Sequence, residues 1–295
     1  MRTATWNKVG FDIREATNVD EAMKIAGLDY EVVKAPVYLS SKARVPGVMA
    51  TKIKGTNEVF GIVGENYNVV QNRDAFAFVD SIVSEGLEFC KAGQNKYFVY
   101  LIASLPKTKV LGDDVQPYII FQNSHNGTST VRAAICPLRI VCENQFNFAF
   151  READNKVSLR HSARVMDKLN DAQDVLRMNA GYMNEFAKKA EDMALIKLSD
   201  IKVNSIIEEY FKIPENATER KINSIEESRT LFLSAYNAED NQNFKGTAWG
   251  MVNAFSDYVT HVTPKRKTDK ADDSRFMYVT FNPHLFTKFV NMVEG

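Results

Sequence analysis

The apolar residues of this chain change their period near residue 163. Before that point they come in short β-branched and aromatic runs punctuated by Gly, Pro and Asn; after it they recur every three to four residues. Val165, Leu169, Ala172, Leu176, Met183, Phe186, Ala190 and Met193 mark one helical stripe. Strands gathered first and helices gathered later argue against a wound parallel sheet. The pattern predicts an α+β fold: an antiparallel-sheet-rich part with a few helices over residues 1–165, then a mostly helical part over 166–295.

Thr17–Leu28 reads as a helix capped by Thr17 or Asn18, with Asp20 and Glu21 in its first turn and Gly27 at its end. Strands are expected over Tyr30–Leu39, interrupted at Pro36, and over Val45–Lys54 and Glu58–Val63 about a Gly55-Thr56-Asn57 turn. Arg73–Ser84 shows a helical face of Phe76, Val79, Ile82 and Val83. Glu88–Cys90 and Tyr97–Leu105 pair around Gly93, and Val115–Asn123 and Thr128–Ile135 form a hairpin tipped by His125-Asn126-Gly127. Pro137 suits the first turn of a helix reaching to about Phe150, because its missing N–H is unpaired there anyway. Lys156–His161 reads as a short strand or an extended entry into a long helix. Later helices are expected at 199–212, 216–238, 247–262 and 284–293, with a charged loop over Val262–Arg275 and a late strand over Phe276–Phe281.

Lys plus Arg and Asp plus Glu both number 37, so the net charge is zero and any nucleic-acid contact must come from a local basic face. Three cysteines, Cys90, Cys136 and Cys142, suggest no disulfide framework and point to a reducing, cytoplasmic setting. The N-terminus has no apolar core of a signal peptide, and no run approaches the length of a membrane span.

Polar residues gather between Pro117 and His161, where two of the four histidines and two of the three cysteines lie among apolar runs. Burying such groups is costly unless something uses them. His125, Cys136, Cys142 and His161 have zinc-binding atoms, but their spacings match no closed zinc pattern, and a cysteine in an apolar segment is usually a small hydrophobe. No metal and no cofactor is expected. There is no phosphate-binding glycine loop, and Asp113-Asp114 and Asp272-Asp273 lack the apolar walls that would tune an acid–base pair. Catalytic residues are therefore not assigned.

An anion site is the sharper reading. Arg132, Arg139, Arg151, Arg160 and Arg164, with Lys156, fall within 33 residues; Arg139 also has a helical i, i+4 partner in Glu143 if Pro137 starts a helix. Arg160-His161, at the end of a strand and before a helix, forms a phosphate or carboxylate clamp. Arg139, Arg160 and Lys156 are candidate phosphate contacts, His125 and His161 candidate sugar or base contacts, and Asn123 and Asn144 further candidate binding residues. Of the interleaved aromatics Phe121, Phe146, Phe148, Phe150, Tyr97, Phe98 and Tyr100, Phe148 is the candidate stacking residue and Phe146 a core residue.

Four blocks then carry a resemblance: Tyr67–Asp80, Asn123–Asn144, Val157–Val165 and Gly246–His261. Together they resemble a family of phage- and plasmid-associated proteins known as a domain of unknown function. The resemblance implies a mobile-element origin and a bacterial cytoplasm. It places the family's polar positions on Gln71, Asn72, Asn123, His125, Arg139, Cys142, Asn144, Arg160, His161, Trp249 and Asn253; Asn126 stands where an acidic residue is expected. A fold-level analogy extends to phage single-strand annealing proteins, which act without a nucleotide cofactor, oligomerise and bind DNA through arginines and aromatics.

The leading expectation is therefore a homo-oligomeric, single-stranded-DNA-binding protein of a phage or mobile element, active in annealing or recombination. A second is an enzyme or sequestering protein for a small phosphorylated ligand or nucleotide. A third is an interaction factor that blocks a host defence through a host protein.

Overall fold

Two prolines face each other in the central strand pair of the computed structural model, Pro117 opposite Pro137. The structure describes residues 10–77, 79–83, 86–94, 98–127, 131–139, 144–145, 156–159, 172–262, 275, 278–280, 282 and 284–295. In chain order its elements are β1 (Phe11–Asp12), α1 (Val19–Ile25), β2 (Val32–Tyr38), β3 (Arg44–Ile53), β4 (Val59–Gly64), α2 (Asn72–Phe76), α3 (Val79–Val83), β5 (Glu88–Gln94), β6 (Val99–Ser104), β7 (Thr108–Val110), β8 (Asp113–Asn123) and β9 (Val131–Arg139). There follow β10 (Asn144–Gln145), β11 (Lys156–Leu159), α4 (Ala172–Leu195), α5 (Asp200–Tyr210), α6 (Glu219–Tyr236), a 3-10 turn (Glu239–Phe244), α7 (Ala248–Asp257), a π-turn (Tyr258–Val262) and α8 (His284–Glu294).

The main sheet is antiparallel, ordered β1-β5-β6-β8-β9-β10, with β7 beside β8 and β11 beside β9. β2, β3 and β4 form a separate antiparallel meander. The fold class is α+β, as the segregation of strands and helices predicts.

Pro137 lies in strand β9, which corrects the expected helix from Pro137 to Phe150, and with it the helical pairing of Arg139 to Glu143. The register explains how two prolines fit. On its outer side β8 pairs with β7 through residues 113–115 and with β6 from residue 118, leaving Pro117 at the changeover. β9 pairs with β11 through residues 131–134 and with β10 from residue 138, leaving Pro137 at the matching gap. Neither missing N–H is needed.

Strand alternation gives the sheet two faces. On the first, Leu101, Ile119, Phe121 and Ala133 bury against α1, α2 and α3 through Met23, Phe76 and Val79. Further along the same face, Val110, Val115 and Ile135 join the helical core of Tyr182, Phe186, Trp249 and Phe255. The second face carries Tyr100, Ile102, Ile120 and Cys136, with Phe98 and Tyr118 partly buried beside them.

Helix boundaries follow local chemistry. Asn18 accepts from the Glu21 N–H at 2.9 Å while Glu21 accepts from the Thr17 N–H at 2.8 Å, a reciprocal cap at the start of α1. Ser199, Thr218 and Thr247 cap α5, α6 and α7, each side chain accepting the backbone N–H three residues on. All ten residues of α7 are buried, because α4, α6 and α8 surround it.

Three other expectations change. Arg73–Ser84 is two short helices, not one. Gly93 lies within β5 opposite Tyr100, where a Cβ would come 2.5 Å from the Tyr100 hydroxyl, so the residue serves close packing and not a turn. Residues 278–280 are helical, not a strand. Val279 packs into the helical core, and that tertiary context overrides their β-branched character. Residue 165, the expected domain boundary, lies outside the described residues.

Candidate functional site

The tip of the β8–β9 hairpin is a buried polar node. Asn123, Ser124 and His125 are 0–2 % exposed. Asn72, the first residue of α2, donates through Nδ2 to the Leu28 carbonyl at 3.0 Å. A carbonyl only accepts, so the Asn72 amide is fixed with Oδ1 toward the hairpin. That oxygen lies 2.8 Å from His125 Nε2 and accepts from Asn123 Nδ2 at 3.2 Å. The His125 proton toward Asn72 therefore sits on Nε2. Thr51 of β3 donates to the His125 carbonyl at 2.5 Å, and Tyr67 to the Ser124 carbonyl at 3.1 Å. Phe60 of β4 covers the imidazole, ring centroids 5.2 Å apart, and Tyr30 stacks on Phe60 at 6.0 Å.

The node thus ties the meander, α2 and the hairpin together. Burial pushes the Tyr30 and Tyr67 phenols up to about 12. Asn123 and His125, expected to face a ligand, are instead turned inward and hydrogen-bonded within the fold. Asn72 and Gln71, two positions the resemblance marked, are structural here: the Gln71 amide spans the N–H and carbonyl of Val32 at 2.8 and 2.9 Å. Beside them a cleft of ≈ 340 Å³ opens between α1 and α2. Arg73 at its edge is paired with Asp20 at 2.6 Å, so its polar walls already serve the fold.

The second face of the sheet is different. Arg132 on β9 is half-buried there, and loss of hydration lowers its pKa. It stands opposite Gln122 on β8, which in turn stands opposite Tyr100 on β6. Phe98 and Tyr118 keep part of their surface open on the same face. Lys156 is opposite Ala134, and Ser158 opposite Arg132, so the register puts both positions on this face. Phe121, by contrast, is core on the first face, and Tyr100 is fully buried.

Arg139 and Asn144 are ladder partners in β9 and β10. α7 and the π-turn approach β10. Their buried polar residues Asn253, Ser256, Asp257 and Thr260 follow the spacing i, i+3, i+4, i+7, which is one face of a helix. That inverted pattern, polar residues at core spacing in a helix of apolar neighbours, is legible in the sequence and was missed except at Asn253. Arg275 donates through Nε to the Val259 carbonyl at 2.7 Å.

A family model described as Domain of unknown function (DUF932) matches residues 59–278, more than half of the chain. The chain belongs to this family. No curated protein and no solved structure matches it. The matched DUF932 segment runs from the start of β4 through Tyr278. It holds the hairpin, the second face with Arg132 and Gln122, and the polar stripe of α7, and leaves out α1, β2 and β3.

The remaining expected site residues of the DUF932 chain, Phe148, Arg160, His161 and Arg164, lie outside the described residues, as do Cys142, Phe146, Phe150 and Tyr97. His125 and Cys136 occupy different parts of the hairpin, and among the described residues no group of three metal-binding side chains converges. No helix among the described residues is long and apolar enough to cross a membrane.

Proposed function

We propose that this DUF932 chain binds single-stranded nucleic acid, DNA in the first instance, on the second face of its large sheet. The observation that carries the reading is a half-buried Arg132 on the same face as the partly open rings of Phe98 and Tyr118. A guanidinium in a partly dehydrated setting holds a phosphate more strongly than one in bulk water. Aromatic rings beside it give bases a stacking surface worth roughly 1–3 kcal/mol per base. Lys156 shares the face by register, and Arg160, His161 and Arg164 extend the basic run in sequence. No nucleotide cofactor enters this scheme. In a phage or mobile-element setting within a bacterial cytoplasm, such a protein works as an oligomer in annealing or recombination.

Fluorescence anisotropy with a labelled single-stranded oligonucleotide across a salt series tests the reading. Binding at low salt that weakens as salt rises supports it, and R132A should lower the salt slope by about one phosphate contact. Absence of binding at low salt, or binding untouched by R132A, overturns it.

A further inference from the structure

Arg275 is half-buried among three tyrosines of the helical part. The groups that act on its charge are the phenols of Tyr278, Tyr210 and Tyr258, with no carboxylate among them. Loss of hydration lowers its pKa. Arg14, Arg44 and Arg73, all more exposed, each hold a carboxylate. A partly dehydrated cation without a counter-charge is the costlier arrangement. Its Nε donates to the Val259 carbonyl at 2.7 Å, and its Cζ lies 5.3 Å from the centroid of the Tyr278 ring. These two contacts orient the guanidinium, and among the described residues its two Nη nitrogens keep their N–H donors unspent.

The tyrosines come from three segments: Tyr210 ends α5, Tyr258 opens the π-turn, and Tyr278 lies before α8. No hydrogen bond engages their hydroxyls among the described residues. Tyr210 packs edge-on to Phe255 and Phe289 at 5.4 and 5.3 Å, and Tyr258 to Phe211 at 5.3 Å, so both rings are held in place. Tyr278 is 47 % exposed, and Arg275 keeps part of its own surface open, so the cluster is reached from solvent beside the Tyr278 ring. Exposed Lys288 stands 5.8 Å from the centroid of the Tyr210 ring and adds a second cation.

We propose that Arg275, with the hydroxyls of Tyr210, Tyr258 and Tyr278, binds the terminal phosphate of a small phosphorylated molecule. This site is separate from the sheet face assigned to nucleic acid and goes beyond that reading. The Nη fork grips two phosphate oxygens side by side, and the phenols donate to what remains. The anion also supplies the charge that the guanidinium lacks. A phosphate monoester has three free oxygens for these donors, whereas a diester within a strand has two.

The test is thermal melting of the full chain against inorganic phosphate, phenyl phosphate and dimethyl phosphate, each with chloride at matched ionic strength. Inorganic phosphate and phenyl phosphate raise the melting temperature along a saturating curve, as binding to a folded site requires, and dimethyl phosphate does not. R275K shifts half-saturation to about tenfold higher phosphate, because an ammonium lacks the fork. Y278F, a change on an exposed ring, shifts it about fivefold and carries the test where R275K does not fold. Absence of a saturable rise, an equal response to dimethyl phosphate, or half-saturation unmoved in Y278F and in folded R275K overturns the inference. Anisotropy with a single-stranded oligonucleotide is the same for Y278F and the parent protein. Weaker oligonucleotide binding by Y278F assigns the cluster to a nucleic-acid strand and overturns the inference, while failure of the parent protein to bind the oligonucleotide overturns only the single-strand reading.

Discussion

His125 Nε2 stands 2.8 Å from Asn72 Oδ1, and this contact fastens the tip of the β8–β9 hairpin to the first turn of α2. Asn72 is the hub, because its one side chain serves Leu28, Asn123 and His125 together. A histidine at a hairpin tip reads as a ligand contact in one dimension. Here it is a joint between three segments far apart in sequence.

Asn72→Ala takes a hydrogen bond from three buried polar groups, of which Asn123 keeps the Val70 carbonyl. The expected loss is about 2–4 kcal/mol of unfolding free energy, measured by urea denaturation of the full chain. A loss under about 0.5 kcal/mol means that the node is solvated and structurally idle.

Thr51→Val keeps shape and removes the 2.5 Å hydrogen bond to the His125 carbonyl. It should cost about 1 kcal/mol. Thr51 and Asn72 act on the same hairpin tip from opposite sides, so the double variant should lose measurably less or more than the sum of the two. Strict additivity in a double-mutant cycle refutes their coupling.

Burial pushes Tyr30, Tyr67 and Tyr210 up to about 12 from the ordinary 10. A raised pKa stabilises the folded state fully below the unfolded value, and that contribution is lost as pH rises toward the folded one. Stability should therefore fall steeply between pH about 10 and about 12, as unfolding releases protons from three phenols. Ultraviolet titration of phenolate should show these tyrosines ionising late. Tyr30→Phe should remove one late phenol and make the decline shallower; a titration complete by about pH 10.5 rules out their burial.

A Cβ on Gly250 would come 2.2 Å from the Phe244 carbonyl oxygen, because α7 crosses the 3-10 turn there at backbone contact. Gly250→Ala should cost about 3 kcal/mol or abolish folding, read by circular dichroism and thermal melting. Gly127 at the hairpin tip has φ +76° and abuts Val63, so Gly127→Ala should also destabilise, through backbone strain as well as crowding. Parent-like melting of Gly250→Ala would falsify that close approach.

The sequence determined much of this protein by itself. The change of period near residue 163 foretold α+β, and Asn18 placed the start of α1 because a cap is a bond between near neighbours. The β8–β9 hairpin was legible for the same reason: its turn and its alternation are local. What lay beyond reach was decided across distance. Pro137 suits a helix start as readily as a strand, and only the gap between β11 and β10 makes a strand place for it. His125 and Gln122, three residues apart, have opposite fates, one spent inside a joint and the other holding an unpaired oxygen. Which residues stand across from them belongs to the tertiary structure, since hydrogen bonding and burial are properties of a neighbourhood that the order of residues does not spell out.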